Sequence, residues 1–191
     1  MNYDAWRPDM SLNSDPRVDY IHSTVTSIQD YPKPGIIFRD ITSTLADAKA
    51  LSYILDVLTE RYQDAGLTQI AGIEARGFIF AAALADRLGC GMTLIRKQGK
   101  LPRAVHTQAY SLEYGNDTLE LHQDALNADD KVLLIDDLLA TGGTMQAAAE
   151  LVAHCGASLV EAAFLIELKG LPGRQRIEQS GVPCYAICAY D

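Results

Sequence analysis

The segment Val132-Leu133-Leu134-Ile135-Asp136-Asp137-Leu138-Leu139-Ala140-Thr141-Gly142-Gly143-Thr144 constrains this chain more than any other. An apolar run ends in two adjacent carboxylates, a loop of small residues follows, and a helical pattern starts at Thr144. A strand without polar alternation is buried on both faces, which points to a parallel sheet covered by helices. The C-terminal ends of such strands are where these sheets bind ligands. Small residues let the backbone approach a ligand closely. A helix N-terminus adds unpaired N–H groups and a partial positive charge, which suit a phosphate. Two carboxylates beside a phosphate repel it unless they face sugar hydroxyls or a magnesium ion carried by the ligand. The segment therefore reads as a site for a phosphorylated sugar. Taken one at a time, the same features also describe a solvated turn and a plain helix start.

The rest of the chain alternates in the same way. The pattern predicts strands over 69–73, 92–97, 131–135, 159–168 and 183–189. It predicts helices over 47–62, 77–88 and 144–155, with a short one over 172–179. Asp47 stands where an N-cap belongs, and Leu51, Ile54, Leu55, Leu58 and Tyr62 recur at helical spacing behind it. Segments 108–114 and 118–122 alternate apolar with polar around Gly115-Asn116-Asp117, which reads as a two-stranded ribbon and its turn. Tyr31-Pro32-Lys33-Pro34-Gly35 is a breaker cluster, and Ile36-Ile37-Phe38 is a short extended run behind it. A short helix is expected within 18–30, and residues 1–18 read as a loose arm. The expected class is α/β, with a central, mostly parallel sheet flanked by helices. At 191 residues the chain is expected to form a single domain over 1–191.

Charge narrows the function. With 25 acidic and 16 basic residues the net charge is −9. That argues against a general nucleic-acid binder or a binder of anionic membranes, both of which need a basic face. The apolar stretch over 77–85 is far shorter than the ~20 residues of a membrane-spanning helix. No apolar leader stands near the N-terminus, so no signal peptide is expected. Cys90, Cys155, Cys184 and Cys188 lack metal-type spacing and read as reduced thiols of a cytoplasmic protein. His22, His106, His122 and His154 are scattered, with neither metal-ligand spacing nor a nucleophile beside them. No Walker A loop occurs, and Gly89-Cys90-Gly91 lacks the third glycine of a dinucleotide fingerprint. Against this acidic background, Arg96, Lys97, Lys100 and Arg103 lie within eight residues that contain no acid. They form either a local anion site or a solvated basic loop.

The segment over 132–144 resembles the signature of the type I phosphoribosyltransferases, which bind 5-phosphoribosyl 1-diphosphate (PRPP). Three further stretches resemble the adenine-using branch of that family. They are Tyr31 to Ile41, Gly72-Ile73-Glu74-Ala75-Arg76-Gly77-Phe78, and Leu94 to Pro102 followed by Tyr110-Ser111-Leu112-Glu113-Tyr114-Gly115. The similarity runs in order from about Ile28 to the C-terminus and leaves out the first twenty or so residues.

The resemblance implies the type I phosphoribosyltransferase fold, with a small base-binding hood over 31–42 and a flexible catalytic loop over 98–122. It implies transfer of the phosphoribosyl group from PRPP to adenine, with Mg²⁺ as cofactor, in a homodimer. Ala140, Thr141, Gly142, Gly143 and Thr144 would cradle the 5′-phosphate. Asp136 and Asp137 would hold the ribose hydroxyls, with Mg²⁺ bound mainly through PRPP and in part through water on Asp136. Arg76 would bind the diphosphate, as would Arg96, Lys97 and Lys100, some of them across to the neighbouring subunit. Ile37, Phe38 and Arg39 would form the adenine site. There Phe38 stacks on the purine and the Ile37 main chain reads its edge, while Arg39 either touches the ring or anchors the loop. Glu113 is the expected general acid/base, and Tyr114 would help cover the site. The runner-up and two minor rivals stand beside this reading. They are transfer to another purine, a non-catalytic PRPP sensor, and a phosphoacceptor receiver domain whose Asp pair follows a strand.

Overall fold

The computed structural model describes residues 15–112 and 115–191. In chain order its elements are α1 (Pro16–Thr24), β1 (Thr26–Gln29), β2 (Ile37–Asp40), α2 (Thr42–Ala46), α3 (Ala48–Tyr62), β3 (Gln69–Ile73), α4 (Gly77–Leu88) and β4 (Gly91–Lys97). There follow β5 (Val105–Leu112), β6 (Gly115–His122), β7 (Lys131–Leu139), α5 (Gly143–His154), β8 (Ser158–Leu168), α6 (Gly173–Gln179) and β9 (Cys184–Tyr190). Seven strands form one sheet in the order β5-β6-β4-β3-β7-β8-β9. The five from β4 to β9 run parallel, and the β5–β6 ribbon joins antiparallel at the β4 edge. The antiparallel pair β1–β2 stands apart as a second, two-stranded sheet.

The unbroken apolar strands are accounted for by two cores. Leu133 and Ile135 of β7 pack with α3 and α4 residues such as Ile54, Leu58, Phe80 and Leu84. Val132 and Leu134 of the same strand pack with Met145, Ala148, Leu151 and Val152 of α5. Side chains of a strand alternate between faces, so a strand with a helix on each side needs an apolar residue at every position. Each such side chain contributes roughly 1.5–3 kcal/mol on burial.

Three expectations need correction. The helix expected within 18–30 instead covers Pro16–Thr24, with Asp15 as its N-cap accepting from the Arg17 amide at 2.8 Å. Pro16 here starts a helix, where its missing N–H costs nothing. Arg17 then bridges Asp15 and Glu60 of α3, so residues 15–18 belong to a docked helix rather than a loose arm. Second, β7 does not stop at Ile135. It continues through Asp136 and Asp137 to Leu139, because β8 runs alongside and pairs with it as far as Leu139↔Glu167. Third, Gly115, Asn116 and Asp117 do not form the ribbon's turn. They are strand residues, paired with Leu112, Ser111 and Tyr110.

One charged cluster sits inside the fold. Glu161 of β8 is 1% exposed and accepts from Arg61 at 2.7 and 2.9 Å and from the Tyr62 hydroxyl at 2.7 Å. The Arg61 guanidinium also lies 4.0 Å from the centre of the Tyr185 ring. Breaking a buried pair from one side leaves an uncompensated charge. Glu161→Leu is therefore expected to cost about 3–5 kcal/mol in urea unfolding, and adding Arg61→Met is expected to recover most of it.

Candidate active site

Parallel pairing of β3 with β7, in the register Gly72↔Ile135, sets the ends of the two strands side by side. Beyond β3 the chain passes through Glu74 and Ala75 to Arg76, which occupies the N-cap position of α4. Beyond Ile135, β7 carries Asp136 and Asp137. The result is a direct ion pair in which Arg76 Nε donates to Asp137 Oδ2. Asp137 is buried, whereas the Arg76 side chain is 51% exposed.

Asp136 has no cation of its own among the described residues. Its Oδ1 accepts from the Asp137 amide at 2.9 Å. Burial, followed by the neighbouring Asp137 charge, pushes its carboxyl well above the ordinary value. A carboxyl raised on folding contributes stability that is complete below its unfolded pKa and is lost as pH rises through the raised value. Asp136→Asn abolishes that loss. Its stability relative to the parent, measured by denaturant unfolding, is expected to grow as pH rises from about 4 toward 8.

Asp136 also lines a hollow of about 90 Å³ with Ala140, Thr141, Gly142, Thr144 and Phe164. The hollow is shaped by the start of α5. Gly142 is its N-cap at φ +79°, with no side-chain cap, so the first N–H groups of the helix have no side-chain acceptor there. A Cβ on Gly142 would come within 2.9 Å of the Gly173 carbonyl oxygen, and one on Gly173 within 2.2 Å of the Ala140 carbonyl oxygen. The loop is thus wedged against the start of α6, and its residues Ala140, Thr141, Gly142 and Thr144 line the hollow.

The basic residues prove less free than their sequence suggests. Arg96 donates to Glu74 at 3.2 and 3.1 Å, and the Lys97 amide donates to the same carboxylate at 3.0 Å. Partial burial pushes the Glu74 carboxyl up, but Arg96 and the amide outweigh it and hold the carboxyl below its ordinary value. The Lys97 ammonium pairs with Asp117 at 2.9 Å, and Arg103 pairs with Asp124. Among the described residues Lys100 has no ion-pair partner. Sequence reading missed Glu74 and Asp117 as partners. Both lie more than fifteen residues from the cation they neutralise, and Asp117 was assigned to a turn.

A further contact escaped the sequence altogether. The Tyr110 hydroxyl of β5 donates to Asp117 at 3.2 Å, and Tyr110 lines a hollow with Gly143 and Ala147, so the ribbon lies beside the start of α5. Glu113 and Tyr114 lie outside the described residues.

In the small sheet, Phe38 and Asp40 fall on one face of β2 and Ile37 and Arg39 on the other, by strand alternation. Phe38 meets Tyr31 edge-on at 5.2 Å. Asp40 is bonded to Thr42 and lies close enough to Arg76 for their charges to interact. Phe38 shares its face of β2 with this carboxylate. Ile37 is 39% exposed. Arg39 turns away, toward Ser27 and the C-terminal strand.

The profile of the phosphoribosyl transferase domain matches residues 43–182. The chain belongs to the phosphoribosyltransferase family. Adenine phosphoribosyltransferase of Idiomarina loihiensis is 53% identical over 170 residues, covering 89% of this chain and 96% of that protein. The crystal structure of adenine phosphoribosyltransferase from Thermoanaerobacter pseudethanolicus is 42% identical, with a TM-score of 0.86 over 91% of this chain and 99% of the other. That of the Saccharomyces cerevisiae enzyme, complexed with adenine and an imino-altritol bisphosphate, is 32% identical, with a TM-score of 0.84 over 90% and 98%. The expected type I phosphoribosyltransferase fold is therefore the observed one. No described helix of this phosphoribosyltransferase is long and apolar enough to cross a membrane.

Proposed function

We infer that this phosphoribosyltransferase transfers the 5-phosphoribosyl group of PRPP to adenine, giving AMP and diphosphate, a reaction of purine salvage. The observation that carries the reading is the juxtaposition at the β3 and β7 ends. An uncapped helix start, two carboxylates and a half-exposed arginine converge there, in a chain about half identical to adenine phosphoribosyltransferases.

Each residue has a part in this proposal. The backbone over 140–144 receives the 5′-phosphate at the start of α5. Asp136 and Asp137 accept from the ribose hydroxyls. A ribose that engages Asp137 competes with Arg76 for that carboxylate, which turns the guanidinium toward the diphosphate. Arg76 suits paired phosphate oxygens because its N–H groups form a planar fork. As the bond from C1′ to diphosphate loosens, positive charge grows on the ribose and negative charge on the leaving group. Arg76 stabilises the latter, with Lys100 and, once released from their acids, Arg96 and Lys97. N9 of adenine approaches the opposite face of C1′, so the configuration inverts. Positioning and electrostatics supply the rate enhancement.

Phe38 stacks on the adenine ring. The Ile37 main chain pairs its N–H with N1 and its C=O with the 6-amino group. A 6-oxopurine presents the reverse pattern and leaves both groups unpaired. Glu113 is assigned the proton transfer at the base, and Tyr114 helps exclude water.

Mg²⁺ fits the donor set, because the oxygen-rich Asp136–Asp137 pair carries a like-charge strain that a hard cation relieves. When bound with PRPP, the ion neutralises diphosphate charge. Asp136 is the residue that would meet it, through water.

A homodimer is part of the proposal. Ile79 of α4 and Leu94 of β4 are each 41% exposed, and Leu94 borders a hollow of about 490 Å³ shared with Arg96, Lys100 and Leu101. A second copy would cover that apolar surface and receive the basic loop. The four free thiols support a reducing, cytoplasmic setting.

With Mg²⁺ and PRPP, nucleotide and diphosphate are expected from adenine but not from hypoxanthine, guanine or xanthine. Preferential turnover of an oxopurine would overturn the roles of Ile37 and Phe38. Arg76→Ala is expected to lower kcat/KM for PRPP by about 10²–10³-fold. Arg76→Lys is expected to restore only part of it, because an ammonium lacks the planar fork.

A further inference from the structure

Arg39 and one aromatic ring tie the small sheet that carries Phe38 to the C-terminal end of the main sheet. Arg39 leaves β2 on the face opposite Phe38 and donates to the Ser27 hydroxyl at 2.6 Å and to the Asp191 carbonyl at 3.2 Å. Its guanidinium lies 4.4 Å from the centre of the Tyr190 ring. The His22 ring of α1 stacks on the same tyrosine at 4.2 Å and 12°. Two groups cannot both lie that close over one face of a ring, so Tyr190 is sandwiched between Arg39 and His22.

Tyr190 is itself fixed. Its hydroxyl donates to the His22 carbonyl at 3.1 Å, its own carbonyl accepts from the Lys169 amide at 2.8 Å, and it ends β9 of the main sheet. Arg39 Nε is sealed from solvent with no acceptor among the described residues. Its hold therefore rests on the stacking and the two outer N–H bonds.

We propose that Tyr190 is a positioning residue for the base. By clamping Arg39 against His22, it sets the distance and tilt at which the next residue, Phe38, meets the purine. The proposal rests on the assignment of Phe38 to the adenine site. It predicts an effect confined to the base end, since the loop over 140–144 joins β7 to α5, whereas the clamp joins β2, α1 and β9.

The test uses the full-length protein with three substitutions, Tyr190→Ala, Tyr190→Leu and Tyr190→Phe. Initial rates give kcat and both KM values, and hydrogen exchange follows the amides of residues 37–40 against those of β7. Tyr190→Ala and Tyr190→Leu are expected to raise KM for adenine about tenfold, the scale of one cation–π contact. KM for PRPP and kcat should stay within about twofold, and exchange should quicken at 37–40 but not in β7. Tyr190→Phe keeps the ring but loses the bond to the His22 carbonyl, so it should lie much nearer the parent than the leucine variant. Tyr190→Leu fills the site if the alanine variant does not fold. An unchanged KM for adenine with unchanged exchange at 37–40 overturns the proposal. So does a phenylalanine variant as impaired as the leucine one, or a loss spread equally over both substrates and β7. Quickened exchange at 37–40 with KM for adenine unmoved keeps the clamp but removes Phe38 from the base site.

Discussion

The pairing of β3 with β7 is the contact on which the rest depends. Its register, Gly72 opposite Ile135, decides that Arg76 comes out beside Asp137. A slip of one residue would turn each apolar side chain of β7 to the wrong core and carry the carboxylates to the other face. Register is therefore enforced by the two cores, Leu133 and Ile135 on one side and Val132 and Leu134 on the other. The chemistry is placed by hydrophobic packing that takes no part in it.

At the strand ends the dominant theme is charge held in reserve. Arg76 rests on Asp137, Arg96 on Glu74 and Lys97 on Asp117. A strongly anionic substrate in an acidic protein needs cations that are both present and kept in place. Pairing each with a nearby acid keeps the side chain in one geometry until a more highly charged partner competes for it. Asp136 is the exception, buried beside its neighbour and without a direct ion pair among the described residues.

Much of this was legible in the sequence. Strand 69–73 and helix 77–88 were read to the residue, because apolar periodicity and glycine boundaries coincide there. The loop over 140–144 was legible as a strand-to-helix connection because its small residues separate an apolar strand from a helical pattern. What was hidden is what depends on partners distant in sequence. The extension of β7 past Asp136 comes from β8, and Pro16 starts a helix only because that helix docks on α3 through Arg17 and Glu60. The pairing of Arg96 with Glu74 joins residues from neighbouring strand ends, and no local pattern announces it. Arg39 was left between two roles by the sequence, and its contacts with Ser27, Tyr190 and Asp191 favour the anchoring one.

The detachment of the β1–β2 pair from the seven-stranded sheet has a consequence for how such a protein changes over generations. Residues 26–40 share no strand pairing with the elements that carry Asp136, Asp137 and the phosphate loop. Apart from Arg39, which rests on Tyr190 of one core, none of these residues belongs to either core. On the proposed assignment of the base to Phe38, a lineage can thus explore new nucleobase preferences within these residues while the strand ends that carry Asp136 and Asp137 are inherited whole.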